Sequence, residues 1–280
     1  MRTITIFCDG GLGNRMGVLI GGILLAKKIG YTPIICWPEN TWCGCSFEDL
    51  FESTDFKIIN CDINTLFSSN LDKTFLIHEN QTKFELKNVL SHTKEVYDNL
   101  KNSDADLIFY HNQISNYFNE YEVVELIKYL KINSYLLDRV KNFCDARGID
   151  KSVYGVHFRK TDHIIVLDDD TIYDNIRKSQ DCRYFVCSDD KSTEDRFRQL
   201  KNVITYIKTF YVEKIYESSD WKDYIQDNEG RFFYSNINRT KRSVIEAFID
   251  LLILSRTNII VNTRSTFLNF SKLYSYIDLW

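Results

Sequence analysis

Short β-branched and apolar runs alternate with longer helical stretches along the whole chain. The first run, Thr3-Ile4-Thr5-Ile6-Phe7-Cys8, reads as a strand that stops at Asp9-Gly10-Gly11. From about residue 14 to residue 29 apolar side chains cover most of a helical surface, and Gly30 stands where a helix commonly closes. Pro33-Ile34-Ile35-Cys36-Trp37 is a second strand, so the opening segment predicts a β-α-β unit with parallel strands and a right-handed crossover. Further strands are expected at residues 57–61, 74–78 and 107–110. Helices are expected at 83–101 and at 122–147, the latter broken near Ile132-Asn133.

A second series begins at Ser152-Val153-Tyr154-Gly155-Val156-His157. It continues with strands at 184–187 and 203–206, a long helix at 242–256, and a strand at 258–262. Strand–helix alternation repeated in this way predicts two α/β domains with mainly parallel sheets. The end of the helix at Arg147-Gly148 divides them into residues 1–148 and 149–280. No Pro- or Ser-rich linker, low-complexity tract or solenoid repeat interrupts the pattern.

Composition narrows the classes. The 280 residues are 44% hydrophobic and 26% charged, which is globular, and the net charge of −4 offers no basic footprint for nucleic acid. The basic run Asn238-Arg239-Thr240-Lys241-Arg242 reads as a solvated helix start. The first residues form a strand and not a signal peptide, and no apolar stretch reaches the roughly 20 residues of a bilayer span, so a cytoplasmic protein is expected. Eight cysteines then read as reduced thiols. Cys43-Gly44-Cys45 lacks a second pair to complete a zinc site, and the sequons at Asn80, Asn238 and Asn269 read as chance.

In open α/β sheets ligands sit beyond the carboxyl ends of the strands, so the residues ending each strand carry the chemistry. In the first half these are Asp9, His78-Glu79-Asn80 and Tyr110-His111-Asn112. In the second they are His157 to Asp162, Ser188-Asp189-Asp190, and Asn262 to Phe267. The turn holding Gly11, Gly13, Asn14 and Arg15 would let backbone N–H groups meet an anion at a helix N-terminus, or would simply pack a helix on its sheet. A dinucleotide fingerprint there lacks the acidic residue about 20 positions on. Asp168-Asp169-Asp170 stands before a helix and reads as capping and solvated charge, not as a metal motif.

Gly10-Gly11-Leu12-Gly13-Asn14-Arg15, Gly155-Val156-His157-Phe158-Arg159-Lys160-Thr161-Asp162 and Cys187-Ser188-Asp189-Asp190 together resemble the GDP-fucose-dependent fucosyltransferase superfamily, and span most of the chain. The resemblance implies a GT-B fold, with two Rossmann-like domains facing across a cleft: an acceptor-side domain first, a nucleotide-sugar domain second. It also implies inverting transfer to a glycan hydroxyl without a metal or other cofactor. By position, Arg159 matches an essential arginine on the diphosphate, and Lys160 stands where the family usually has a second arginine. His157 matches a residue near the same phosphates, and Asp190 an acid that reads the nucleobase. Ser265, Thr266 and Phe267 match the last phosphate-binding motif. The base that accepts the acceptor's proton is sought first at Asp9, then at Asp162, His78 and Glu79. Alternatives are a UDP-sugar donor such as UDP-xylose, an NAD(P)-dependent oxidoreductase, and a non-catalytic sugar-nucleotide binder. Nucleic-acid and membrane partners are not expected.

Overall fold

A computed structural model describes residues 2–52, 55–62, 65–66, 74–77, 106–109, 119–162, 168–223, 225–226, 232–233, 235–260 and 265–279. The chain forms two compact units, Met1–Glu39 with Ser46–Lys131, and Asn40–Cys45 with Ile132–Trp280.

The first unit opens as its sequence predicts, with β1 (Thr3–Phe7), α1 (Leu12–Ile29) and β2 (Thr32–Cys36). β3 (Lys57–Ile59), β4 (Thr74–Ile77), β5 (Asp106–Phe109) and α2 (Glu120–Tyr129) follow. The sheet order is β3-β2-β1-β5-β4, and every pairing is parallel. Apart from Asn14, residues Leu12 to Ala26 of α1 are buried all round, so this apolar helix has no wet face. It reaches the sheet closely because Gly22 lies on Ile6, where a Cβ would fall 2.6 Å from the Ile6 side chain. Trp37 packs edge-on against Phe47 and Phe51 in the same core.

The second unit contains α3 (Ser134–Arg147), β6 (Tyr154–Phe158), α4 (Asp169–Lys178), β7 (Tyr184–Ser188), α5 (Lys191–Phe197) and β8 (Val203–Ile204). Then come β9 (Ile225–Gln226), β10 (Phe232–Phe233), α6 (Lys241–Arg256), β11 (Asn258–Ile259) and α7 (Thr266–Tyr274). Its four-stranded sheet runs β11-β6-β7-β8, all parallel, while β9 and β10 make a separate antiparallel pair. Val156, Phe158, Tyr184, Val186, Phe197 and Leu200 form a core on this sheet. Gly155 lets β6 approach the end of α6, since a Cβ there would meet the Thr257 hydroxyl at 2.1 Å.

The expected break near Ile132-Asn133 is present: α2 ends at Tyr129, and Asn133 caps α3 by accepting from the Tyr135 N–H. The division between units therefore falls at Lys131–Ile132 and not near residue 148. The reason is packing: α3 turns Leu136, Val140 and Cys144 inward and lies on α6. Asn40–Cys45 also joins the second unit, through a bridge from Gly44 to Thr240. All eight cysteines are free thiols, six of them buried. No helix among the described residues is long and apolar enough to cross a membrane. The helix expected at 83–101, and His78, Glu79, His111, Asn112 and residues 262–264, lie outside the described residues.

Candidate active site

The carboxyl end of β6 gathers most of the second-half candidates. His157, within the strand, is buried and stacks on Phe267 at 4.7 Å between ring centres and 20° between planes. Burial, with the charges of Arg159 and Lys208, holds its imidazole down at about 3, so it is neutral near pH 7. Its Nδ1 has no partner among the described residues.

Beyond the strand, Arg159 donates from Nη2 to both oxygens of Asp162, at 3.0 and 3.1 Å. Asp162 is buried and takes a second guanidinium, Arg239, whose Nη2 lies 2.9 Å from Oδ1. Two cations thus share one carboxylate, while Arg159 Nε and Arg239 Nη1 are buried without partners among the described residues. The loop is held from β7: Asp189 accepts from the Lys160 N–H at 2.7 Å and from the Thr161 hydroxyl at 2.5 Å. A carboxylate bound to consecutive backbone and side-chain donors fixes the direction in which Arg159 leaves the strand.

The remaining second-half candidates divide. Ser265 and Thr266 open α7, and the buried Ser265 hydroxyl has no partner among the described residues. Phe267 supplies the face on which His157 stacks. Asp190 caps α5, with Oδ2 accepting from the Thr193 N–H, the Thr193 hydroxyl and the Ser192 hydroxyl at 2.6–2.7 Å. Burial works against its charge, but those donors hold its carboxyl below the usual carboxylate range. The cap uses Oδ2 alone, which leaves Oδ1 outside it. Lys160 reaches away to Asp169 at 2.5 Å. In the acidic triplet, Asp168 is the N-cap of α4 and Asp170 pairs with Arg196 at 2.6 Å. Among the described residues no group of three His, Cys, Asp or Glu side chains is gathered to hold a metal ion.

In the first unit the glycine turn has the geometry its composition predicts. Gly10 adopts φ of 84°, a left-handed conformation open to glycine, and Gly11 begins α1 with no side-chain cap. Arg15, expected beside a ligand, is wholly buried instead. It donates to the Gly10 and Pro38 carbonyls at 2.7 and 2.5 Å and lies over the Trp37 ring. Its guanidinium therefore fastens the turn to the loop after β2. Gly13 is buried and Asn14 half-buried on the same first turn. The Asp9 side chain is 32% exposed, and Arg15 Nη2 is 3.9 Å from its Oδ1.

Arg239 was missed because its basic run reads as a solvated helix start; its contact with Asp162 spans 77 positions. The one signal it offers is its place directly before Thr240, whose hydroxyl caps α6.

No family model and no curated protein matches the sequence. Solved structures do. The NodZ α1,6-fucosyltransferase co-crystallized with GDP superposes with a TM-score of 0.63 at 17% identity, covering 97% of this chain and 91% of that one. Fucosyltransferase NodZ from Bradyrhizobium, as the selenomethionine protein, gives 0.64 at 16% identity and the same coverage. A variant of Arabidopsis thaliana FUT1 in complex with GDP gives 0.58 at 11% identity, covering 97% and 68%. The fold is that of these fucosyltransferases. It is the fold implied by the motifs at residues 10–15, 155–162 and 187–190, and the second of those motifs ends on the unpartnered donors described above.

Proposed function

We propose that this chain is an inverting, metal-independent glycosyltransferase that moves L-fucose from GDP-fucose to a hydroxyl of a glycan acceptor. The observation that carries the reading is the Arg159 guanidinium. It is anchored on Asp162 through Nη2 and keeps a buried Nε that has no partner among the described residues, as His157 Nδ1 and the Ser265 hydroxyl also have none there. Donors fixed in place without an acceptor suit a diphosphate, because negative charge grows on its oxygens as the sugar leaves. The fold is shared with NodZ structures described as co-crystallized with GDP and soaked with GDP-fucose.

In this reading the acceptor hydroxyl oxygen attacks the anomeric carbon from the face opposite the nucleotide. The bond from that carbon to the β-phosphate oxygen breaks, its electron pair leaves with GDP, and the hydroxyl proton passes to a carboxylate. Asp162 is ill suited to that task, since it is buried and bound to two guanidiniums. Asp9, about one-third exposed at the end of β1, is our assignment for the base. Asp190 Oδ1, outside the cap, is our assignment for the N–H edge of guanine.

The test is a thermal-shift panel of GDP-fucose, GDP, UDP-xylose, UDP and NADH, followed by GDP release from GDP-fucose with and without EDTA. We expect the largest rise in Tm with the guanosine ligands and undiminished turnover in excess EDTA. A rise confined to the uridine or nicotinamide ligands would overturn the donor. Loss of activity in EDTA, restored by manganese, would overturn the metal-free step.

A further inference from the structure

The segment Asn40–Cys45 lies between two stretches of the first unit, yet it packs with the second. What it packs on is Arg239. The Gly44 N–H donates to the Arg239 carbonyl at 2.8 Å, and the Arg239 N–H donates to the Thr41 carbonyl at 2.8 Å. The Trp42 ring lies 5.9 Å from the guanidinium. Gly44 is required by this approach: a Cβ there would stand 2.7 Å from the Arg239 carbonyl oxygen and 3.1 Å from the Lys241 nitrogen, both backbone atoms that cannot swing aside. The arginine is therefore held by main-chain bonds on both sides of its α-carbon and by an aromatic face at its tip.

Its head group is prepared for more than Asp162. Nη2 binds Asp162, the side chain is 14% exposed, and Nη1 is buried with no partner among the described residues. Asp162 neutralises at most one of the two guanidiniums that meet on it, so the pair carries a surplus positive charge beside two unused N–H donors, Arg159 Nε and Arg239 Nη1. A buried guanidinium donor left unpaired is costly unless an anion completes it.

We infer that Arg239 is a second anion-binding arginine of this site, specific for the diphosphate of a nucleoside diphosphate, and that Thr41, Trp42 and Gly44 are the positioning residues that hold it there. The inference rests on the proposed function for the identity of the ligand and adds to it a residue and a segment.

The test compares GDP, GMP and guanosine on wild type, Arg239→Ala, Arg239→Lys and Trp42→Ala by isothermal titration calorimetry, with folding checked by circular dichroism. Arg239→Ala should raise the Kd for GDP by about ten- to a hundredfold, as expected for one charge-assisted bond, and leave guanosine binding unchanged. Arg239→Lys should recover part of that loss. Trp42→Ala should weaken GDP several-fold, and Trp42→Phe, which keeps an aromatic face, should restore it. If Arg239→Ala does not fold, the Trp42 pair carries the test. Wild-type GDP affinity in folded Arg239→Ala, or equal losses for GDP and guanosine, would overturn the role of Arg239 and leave the proposed function standing. A wild-type protein that binds none of the guanosine ligands would overturn the proposed function itself.

Discussion

At Asp162 one carboxylate meets two guanidiniums; at Lys208, in the same unit, one ammonium meets two carboxylates. Lys208 Nζ donates to Glu194 Oε1 at 2.5 Å, to the Ser188 carbonyl at 2.6 Å, and to Asp250. Glu194 also accepts from the Ser188 N–H and the Tyr211 hydroxyl, at 2.8 and 2.6 Å. This cluster ties the end of β7 to α5, to α6 and to the loop carrying Lys208, and it is nearly solvent-free. Its ammonium donors are all engaged, Glu194 also lies 3.9 Å from Arg198 Nη2, and the buried polar atom left without a partner among the described residues is an acceptor, Asp250 Oδ1. The Asp162 cluster is more open, its surplus is positive, and its unused groups are donors. Buried ions alone do not mark an anion site; the kind of atom left unpaired does, an acceptor in one cluster and donors in the other.

Removing a partner should separate the two clusters first by stability. Lys208→Met would leave two buried carboxylates facing one another, and should cost about 3–5 kcal/mol in urea denaturation. A loss under about 1 kcal/mol would show that the cluster is not the lock described here.

At the open cluster the effect should fall on turnover. Arg159→Lys keeps the charge but loses the planar fork, so at saturating donor it should remain folded and lose on the order of 10²–10³ in kcat. Wild-type turnover in folded Arg159→Lys would remove Arg159 from the reaction.

The clusters should also titrate with opposite signs. Native His157 stays neutral down to about 3 while the unfolded residue gains a proton below about 6.5, so its contribution is lost as pH falls from 6.5 toward 3. Burial, with the neighbouring Glu194 charge, pushes Asp250 up to about 7 against the attraction of Lys208. Native Asp250 thus keeps a proton that the unfolded chain releases near 4, and its contribution is lost as pH rises from about 4 to 7. Each effect is at most about 1.4 kcal/mol per pH unit. Denaturation at a series of pH values should show less acid destabilisation in His157→Gln, and in Asp250→Asn a stability that rises more steeply with pH than in wild type. Parallel profiles for all three proteins would refute both assignments.

The smallest effect should be at Lys160. It is engaged by Asp169, with both side chains about one-fifth exposed, so Lys160→Ala should alter turnover only a few-fold. A loss as large as that of Arg159→Lys would move Lys160 into the diphosphate site.

Much of the fold was readable because its signals are local. Alternating apolar runs placed β1, β2, β6 and β7, and Asp168 could be read as a cap from its position before α4. The unit boundary was not readable, because α3 could have packed on either side, and only its contact with α6 assigns it to the second unit. The surroundings of Arg15 were hidden for a related reason. A glycine turn followed by arginine suggests an anion site, and nothing nearby in sequence says that Pro38 and Trp37 take up the guanidinium. At the candidate site Arg159 and His157 were visible from their strand end, whereas Arg239 depends on a partner far away in the chain.

The bond between Gly44 and Arg239 also sets a timetable for biosynthesis. It closes a loop of roughly 200 residues, one of the most non-local contacts in the molecule and the kind that forms late. At about 5–20 residues per second, a ribosome delivers Arg239 about 10–40 s after Gly44. During that interval the nascent chain can fold the strands flanking Asn40–Cys45, but the segment itself waits without the main-chain partners and the guanidinium that Arg239 brings to Thr41, Trp42 and Gly44. A late-closing segment held open during translation is the hazard that this topology builds into making the protein.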